Sequence, residues 1–453
     1  MAKKPGLDAS SRDKLLARVQ TMRGSDRGKL AADAALKAKR AAFTKFETLP
    51  GYEEIRMQRL FGERFGLANP YFKMHDGLAS SRTSIDGKEY LNFSCYDYLS
   101  LNGHPEIVDA AKDAIDRFGI SCSGSRVVAG ERIVHRQLEE GLAKHYGAEE
   151  ALLFVSGYGT NVCVIGQMLG AKDLVLFDSA AHNSIVTGAV MSGAARRTFP
   201  HNDMDALEAQ LEQLRDRYER VMIAVEGHYS MDGDYPDMPR LLEIKEKYGC
   251  WLMVDEAHSL GVLGARGHGV TEVFGFDPKQ VDIWMGTLSK TLVGAGGYVA
   301  GSAVMVDFLR SLGGAFVYSV ALPSVIAATA AKALDLMHRE PERVQKLQAN
   351  ARHFAESAKE KGLNLGTSMQ TAVSPVIVGD SLPAAMLSDR MFKRGINVQP
   401  VLYPGVPPKT SRLRFFLNTS HTFEDIDHAL AVVVEELAQI DNDIQNIPLN
   451  MKM

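Results

Sequence analysis

The chain has 453 residues, 45% of them apolar and 23% charged, with a formal net charge of −4. This describes a globular protein with room for a large domain and a smaller one, and it excludes the basic surface of a nucleic-acid binder. The four cysteines, Cys95, Cys122, Cys163 and Cys250, lack CxxC or CxH spacing, which argues against a disulfide framework and a zinc site and fits a reducing cytoplasm.

No apolar run is long and uninterrupted enough to span a bilayer, and the N-terminus has no signal-peptide core. FVYSVALPSVIAATAAKAL, from Phe316, comes nearest; Pro323 and several hydroxyls make it a turn leading into a buried helix. Residues 1–84 are expected to form an N-terminal extension and arm. The first 46 carry twelve Lys/Arg against four Asp/Glu, a local +8. SRDKLLARVQTM and KLAADAALKAKRAAFTKF favour helix with few bulky apolar side chains, as in a solvated extension packed loosely on the body or on another subunit. A basic arm for an acidic acyl carrier protein, or for peripheral contact with an anionic membrane, is the second reading.

From Lys88 the pattern becomes regular. KEYLNFSCYDYLSL reads as a strand or hairpin, and HPEIVDAAKDAIDRFG and RIVHRQLEEGLAKHYG read as helices stopping at Gly119 and Gly147. Between them SCSGSRVVAGER is a Ser/Gly loop with a buried-type Val pair. Strands ALLFV, LVLF, a run near Arg196, RVMIAVEG, WLMVDEAH, VDIWMG and GGYVAGS then alternate with helices, the signature of a mostly parallel sheet covered on both faces. This predicts a large domain over 85–330. Long helices with the strands AVSPVIVG, INVQPVL and RLRFFLN predict a smaller α+β domain over 331–453.

Functional residues of open parallel sheets collect where strands end. WLMV runs into Asp255, Glu256, Ala257 and His258; RVMIAVEG into His228, Tyr229 and Ser230; LVLF into Asp178 and His182; ALLFV into Ser156, Gly157 and Tyr158 at an expected helix start. Alone, an Asp there can simply cap a helix, and a single His is more often a structural hydrogen-bonder. Lys290 changes the balance: it sits in GTLSKTLVGAGG after VDIWM, where burial would lower its pKa and let a neutral amine condense with a carbonyl. Carboxylate, imidazole, helix-start amides and lysine together are what a pyridoxal phosphate site needs. Asp255 would keep the pyridine nitrogen protonated, and amides near Gly157 and Tyr158, with the Thr287 and Ser289 hydroxyls, would take the phosphate.

The segments SGYGTN, DSAAHNS, EGHYSMDGD, VDEAHSLGVLG and GTLSKTLVGAGG, in this order, closely resemble the α-oxoamine synthases. These are fold-type I pyridoxal phosphate enzymes that include serine palmitoyltransferase, aminooxononanoate synthase, glycine C-acetyltransferase and aminolevulinate synthase. The resemblance runs from about residue 85 to about 440 and leaves the basic N-terminus uncovered. It implies that Lys290 is the lysine bonded to the cofactor, Asp255 the partner of the ring nitrogen and His182 the ring-stacking group. His258 and Ser230 would lie near the ring hydroxyl, and Arg414 would anchor the substrate carboxylate. Ser319, in VYSVALP, matches the position that reaches the phosphate of the neighbouring subunit, which implies a homodimer with shared active sites. The implied reaction is a decarboxylative Claisen condensation of an amino acid with an acyl thioester, without a metal. CYDYLS puts Tyr96, at the substrate site, where aminooxononanoate and aminolevulinate synthases usually have Asn. That is more similar to serine palmitoyltransferases of sphingolipid biosynthesis and to synthases of carrier-protein pathways. Serine with a long-chain acyl thioester, on coenzyme A or acyl carrier protein, is favoured, with glycine and alanine open. A fold-type I aminotransferase and a silent partner subunit are the readings from other classes.

Overall fold

A computed structural model describes residues 8–445. The chain divides into two compact units, one ending at Asn69 and the other beginning at Pro70. In the first, the two helix-favouring stretches form one helix, Ala9–Phe43, opened by the Asp8 carboxylate, which accepts from the Ser11 amide at 2.7 Å. A short turn, Phe46–Thr48, leads to a second helix, Tyr52–Arg64. Leu15, Leu16, Leu30 and Phe43 are all exposed.

The second unit is built on a seven-stranded sheet. Its strands are β1 (Glu150–Phe154), β2 (Leu174–Asp178), β3 (Ala195–Phe199), β4 (Val221–Glu226), β5 (Trp251–Asp255), β6 (Ile283–Thr287) and β7 (Gly297–Gly301). The seven expected strands are all present, in the spatial order β1-β7-β6-β5-β4-β2-β3. β7 is antiparallel to both β1 and β6, and the other pairs are parallel. The apolar runs are continuous because both faces are covered: Val221, Ile223 and Val225 enter one apolar cluster, while Met222 and Ala224 enter another on the opposite face. All strands except β7 therefore end at one edge, where Gly157, His182, Ser230, His258 and Lys290 follow within a few residues.

The expected helices at Pro105–Phe118 and Ile133–Tyr146 end immediately before Gly119 and Gly147. The run from Phe316 becomes a turn followed by the helix Ser324–Arg339. Two readings need correction. KEYLNFSCYDYLSL is a strand only over Lys88–Asn92; its hairpin partner is Arg82–Ile85, joined through Asp86 and Gly87, both at positive φ, as a two-residue hairpin turn requires. The remainder is held off the sheet by the Asp97 carboxylate, which accepts from the amides of Leu101 (2.8 Å) and Asn102 (2.9 Å). The Val pair is not buried: Val127 is 59% and Val128 83% exposed, while Arg126 is 8% exposed. Arg126 turns inward to Glu131 and Glu139 instead, and the pairing of this buried cation sets the local conformation.

Toward the C-terminus, Val373–Gly379, Ser411–Phe416 and Gln399–Val401 form a three-stranded antiparallel sheet. Ile396–Asn397 pairs in parallel with Leu91 and Asn92. The N-terminal hairpin of this unit is thus tied to its C-terminal part. Among the described residues no helix is long and apolar enough to cross a membrane.

Candidate active site

Lys290 stands in a turn closed from both sides. Leu288 donates to the Gly296 carbonyl (3.0 Å), Gly294 to that of Leu288 (2.7 Å) and Val293 to that of Lys290 (2.9 Å). Val293, a β-branched residue, is held at φ 45°, a conformation that costs energy and persists only where its surroundings enforce it. Burial drives the Lys290 amine down to about 8, against the opposing pull of Asp255 and Glu226.

Asp255, buried at the end of β5, accepts from the Ala257 amide (3.0 Å) and from Asn161 Nδ2 (2.8 Å). The other N–H of Asn161 goes to Ser184 Oγ (2.9 Å). Ser184 in turn donates to His182 Nδ1 from its hydroxyl (2.7 Å) and its amide (3.3 Å). The carboxylate and the imidazole are therefore oriented through one relay, Asp255–Asn161–Ser184–His182, and the neutral ring of His182 carries its proton on Nε2. Burial lowers the His182 pKa, as do Lys290 and Arg414, while Asp255 raises it.

His258 is fixed from its other side. Tyr98, whose burial keeps its hydroxyl protonated, donates to His258 Nδ1 at 2.7 Å. His228 Nδ1 donates to the His258 carbonyl at 3.0 Å, and burial takes the His228 pKa down to about 4. Burial likewise holds His258 well below the usual histidine value. Glu226, opposite Asp255 in the β4–β5 register, is pushed up to about 8 by burial and by the neighbouring Asp255 charge.

Arg414, on Ser411–Phe416, lies over the Phe416 ring (4.6 Å) and donates Nη1 to the Ser230 carbonyl (3.0 Å). Nη1 also donates to Met231 Sδ (3.3 Å); Nε and Nη2 make no hydrogen bond to the described residues, so this edge of the planar fork can take a carboxylate. Tyr96 packs edge-on against Phe416 (4.7 Å) and His258 (6.2 Å). Gly157 opens the helix Gly157–Met168. A Cβ there would stand 2.8 Å from Thr287 Oγ1, so only glycine lets this helix start approach the Thr287 and Ser289 hydroxyls, which are 2.8 Å apart. The Tyr158 hydroxyl reaches Asn183 (3.1 Å) and Thr187 (2.8 Å). Ser319 is not brought to this group within one chain: it lies between exposed Tyr318 and Val320. A cavity of about 940 Å³ elsewhere does not contain the site either. Trp251, Ile283 and Asp173 line it at the opposite, amino ends of the strands.

The family described as aminotransferase class I and II matches residues 88–433. An 8-amino-7-oxononanoate synthase of Symbiobacterium thermophilum is 39% identical over 77% of this chain and 89% of that one. The serine palmitoyltransferase of Sphingomonas wittichii has a solved structure with a TM-score of 0.83 at 27% identity, covering 87% of this chain and 99% of that one. That of 8-amino-7-oxononanoate synthase from Francisella tularensis gives 0.67 at 27% identity, covering 77% and 98%. The chain belongs to the α-oxoamine synthase family of fold-type I pyridoxal phosphate enzymes. As an α-oxoamine synthase it carries out a decarboxylative condensation that depends on this cofactor. The residues fit it: Asn161 Oδ1 and Glu226 Oε1 are buried with no partner among the described residues, a lysine of lowered pKa faces a buried carboxylate, and the Gly157 helix start offers amides to a phosphate.

Five neighbours escaped the sequence reading. Asn161 and Glu226 lie inside quoted motifs, SGYGTN and EGHYSMDGD, but nothing in a linear pattern says which way they face. Ser184, Tyr98 and Phe416 also lie inside quoted segments, DSAAHNS, CYDYLS and RLRFFLN, and only their contacts reveal their part in the site.

Proposed function

We propose that this α-oxoamine synthase joins a small α-amino acid, serine in the first instance, to a long-chain acyl thioester. The new bond runs from the amino-acid Cα to the thioester carbonyl carbon; the thiol leaves, CO2 is lost, and a 2-amino ketone remains. The observation that carries this reading is Lys290, its amine lowered to about 8 beside Asp255, with His182 and His258 on the same sheet edge. When bound, pyridoxal phosphate supplies an electron sink for charge developing at the substrate Cα.

Lys290 would hold the cofactor aldehyde and, once displaced, take the Cα proton on Nζ; a base of pKa near the working pH suits that transfer. Asp255, oriented by Asn161 and the Ala257 amide, would hold the proton of the ring nitrogen. His182 would cover one ring face, and His258 and Ser230 would stand near the ring hydroxyl. Gly157 and Tyr158 amides with Thr287 and Ser289 would hold the phosphate, joined by Ser319 of a second copy in a homodimer. Arg414 would clamp the amino-acid carboxylate and Tyr96 would border the acyl entrance. The three-part division at residues 84 and 330 and a cytoplasmic location belong to the same proposal.

The amino acid has a second reading. Alanine, with a shorter acyl thioester, is favoured by the 39% identity to an 8-amino-7-oxononanoate synthase; serine is favoured by the higher TM-score with serine palmitoyltransferase. Thiol and CO2 release measured with serine, alanine and glycine, each with short and long acyl thioesters, separates them. The highest kcat/KM with serine and a long chain is expected. Turnover that needs a 2-oxo acid acceptor and releases neither thiol nor CO2 would overturn the whole reading.

A further inference from the structure

Away from the active site, three histidines distant in sequence converge. His145 is in the last turn of the helix Ile133–Tyr146, His338 in the last turn of the helix Ser324–Arg339, and His268 in the loop after β5. One ring nitrogen from each lies within 4.8 Å of the other two. His145 Nδ1 and His338 Nε2 are 2.9 Å apart, and their rings stack at 5.2 Å. The His145 Nε2 is buried with no hydrogen-bond partner among the described residues.

From this geometry we infer that His145, His268 and His338 form a zinc-binding site outside the catalytic centre. Imidazole nitrogens about 2.0–2.1 Å from a tetrahedral ion stand about 3.3 Å from one another. Two of the three nitrogens are already near that spacing. The third, from His268, lies within 4.8 Å of both, a gap that rotamer adjustments of the half-buried His268 and the exposed His338 can close. Three nitrogen donors without thiolate or carboxylate suit zinc and its borderline neighbours rather than magnesium or calcium.

His145 and His338 already share a hydrogen bond between their ring nitrogens, so an ion would take the place of the proton between them. The His268 segment is fixed by the Glu272 carboxylate, which accepts from the amides of Arg266 (2.8 Å) and His268 (3.3 Å), and by Thr271, whose hydroxyl donates to the His268 carbonyl (2.8 Å). Lys144 and Arg266 oppose a cation near His338, and Asp335 favours one; coordination bonds outweigh these solvent-screened charges. Water fills the fourth position on the His338 side.

The ion would pin the loop that begins with Glu256 and carries His258. This loop is already bridged between Leu260 and His268, and Gly261 donates to the Gly267 carbonyl (2.8 Å). Zinc is therefore a staple between two helix ends and the catalytic loop, and not a participant in the chemistry.

The test uses tag-free, cofactor-loaded protein, stripped with a chelator and titrated with zinc chloride, with magnesium chloride as control. One zinc per chain and a rise in Tm are expected, with no response to magnesium. Cobalt(II) in place of zinc should give the visible spectrum of a tetrahedral nitrogen site. His338→Gln, at an exposed position, and His268→Gln should each weaken binding by at least about 100-fold, the upper end of what losing a mere supporting partner costs. Both variants should retain the metal-free Tm and the metal-free activity. Absence of saturable zinc uptake, or equal uptake by parent and both variants, overturns the assignment.

Discussion

The histidines at the sheet edge and those of the distant cluster share one influence and differ in wiring. Burial lowers the basicity of His182 and His258 and likewise of His145, His268 and His338. At the sheet edge each Nδ1 is committed to a hydroxyl, Ser184 or Tyr98, that fixes the ring against a future substrate. In the cluster the rings face each other and their committed partners are few. His201 shows the opposite outcome: burial works against its charge, yet Asp178 (2.9 Å) and Asp234 (3.0 Å) hold it up to about 10. An imidazole's neutrality is thus set by how dry its surroundings are, and its task by which atoms meet its two nitrogens.

The strongest way to break this contrast is at the lysine. Lys290→Ala should cut thiol and CO2 release by about 10³-fold or more, within the range attributed to a positioned acid or base, while the variant still binds cofactor without the covalent bond. Substantial residual turnover would remove Lys290 from the role of base. The relay gives the next largest effect. Asn161→Ala removes a hydrogen bond to a buried charge, worth about 1.5–3 kcal/mol, so kcat/KM should fall roughly 10- to 100-fold while Tm moves little. An unchanged kcat/KM would mean that Asp255 and His182 need no common support.

A smaller effect concerns pH. Because His201 is more basic folded than unfolded, its contribution is complete below its ordinary pKa of 6.5 and is lost as pH rises toward about 10. Tm should decline across that window, and His201→Gln should flatten the decline; parallel curves for parent and variant would sink the charged assignment. The smallest effect is expected at the N-terminus. Removing the residues before 47 should leave KM unchanged for coenzyme A and carrier-protein thioesters alike, as a solvated extension requires. A rise confined to the carrier-bound donor, larger at low salt, would instead give the +8 arm a recruiting role.

Much of this was readable in the chain itself. Apart from β3, whose Arg196, Arg197 and Thr198 are exposed, the strands are largely buried apolar runs, so pattern alone exposes them, and the groups following Val254, Val225 and Met285 inherit a shared edge from parallel pairing. Orientation was not readable. Val127 and Val128 look like core, yet the pairing of Arg126 with Glu131 and Glu139 turns them to solvent. Asn161 and Ser184 look like ordinary helix residues until two helices bring them together at 2.9 Å. His145, His268 and His338 share no spacing rule, and cysteine counting could not anticipate a site without cysteine.

The hairpin-like return of β7 beside β6 has a consequence for how the site comes into being. Lys290 is positioned by contacts spanning fewer than ten residues, from Leu288 to Gly296, whereas Arg414 and His182 arrive from opposite parts of the sequence. Local contacts form early and cost little loop entropy; distant ones form late. The amine is therefore in place before the dry surroundings that lower its pKa exist. A nascent or partly folded chain presents an ordinary, protonated lysine, and nucleophilicity toward aldehydes appears only with the completed fold.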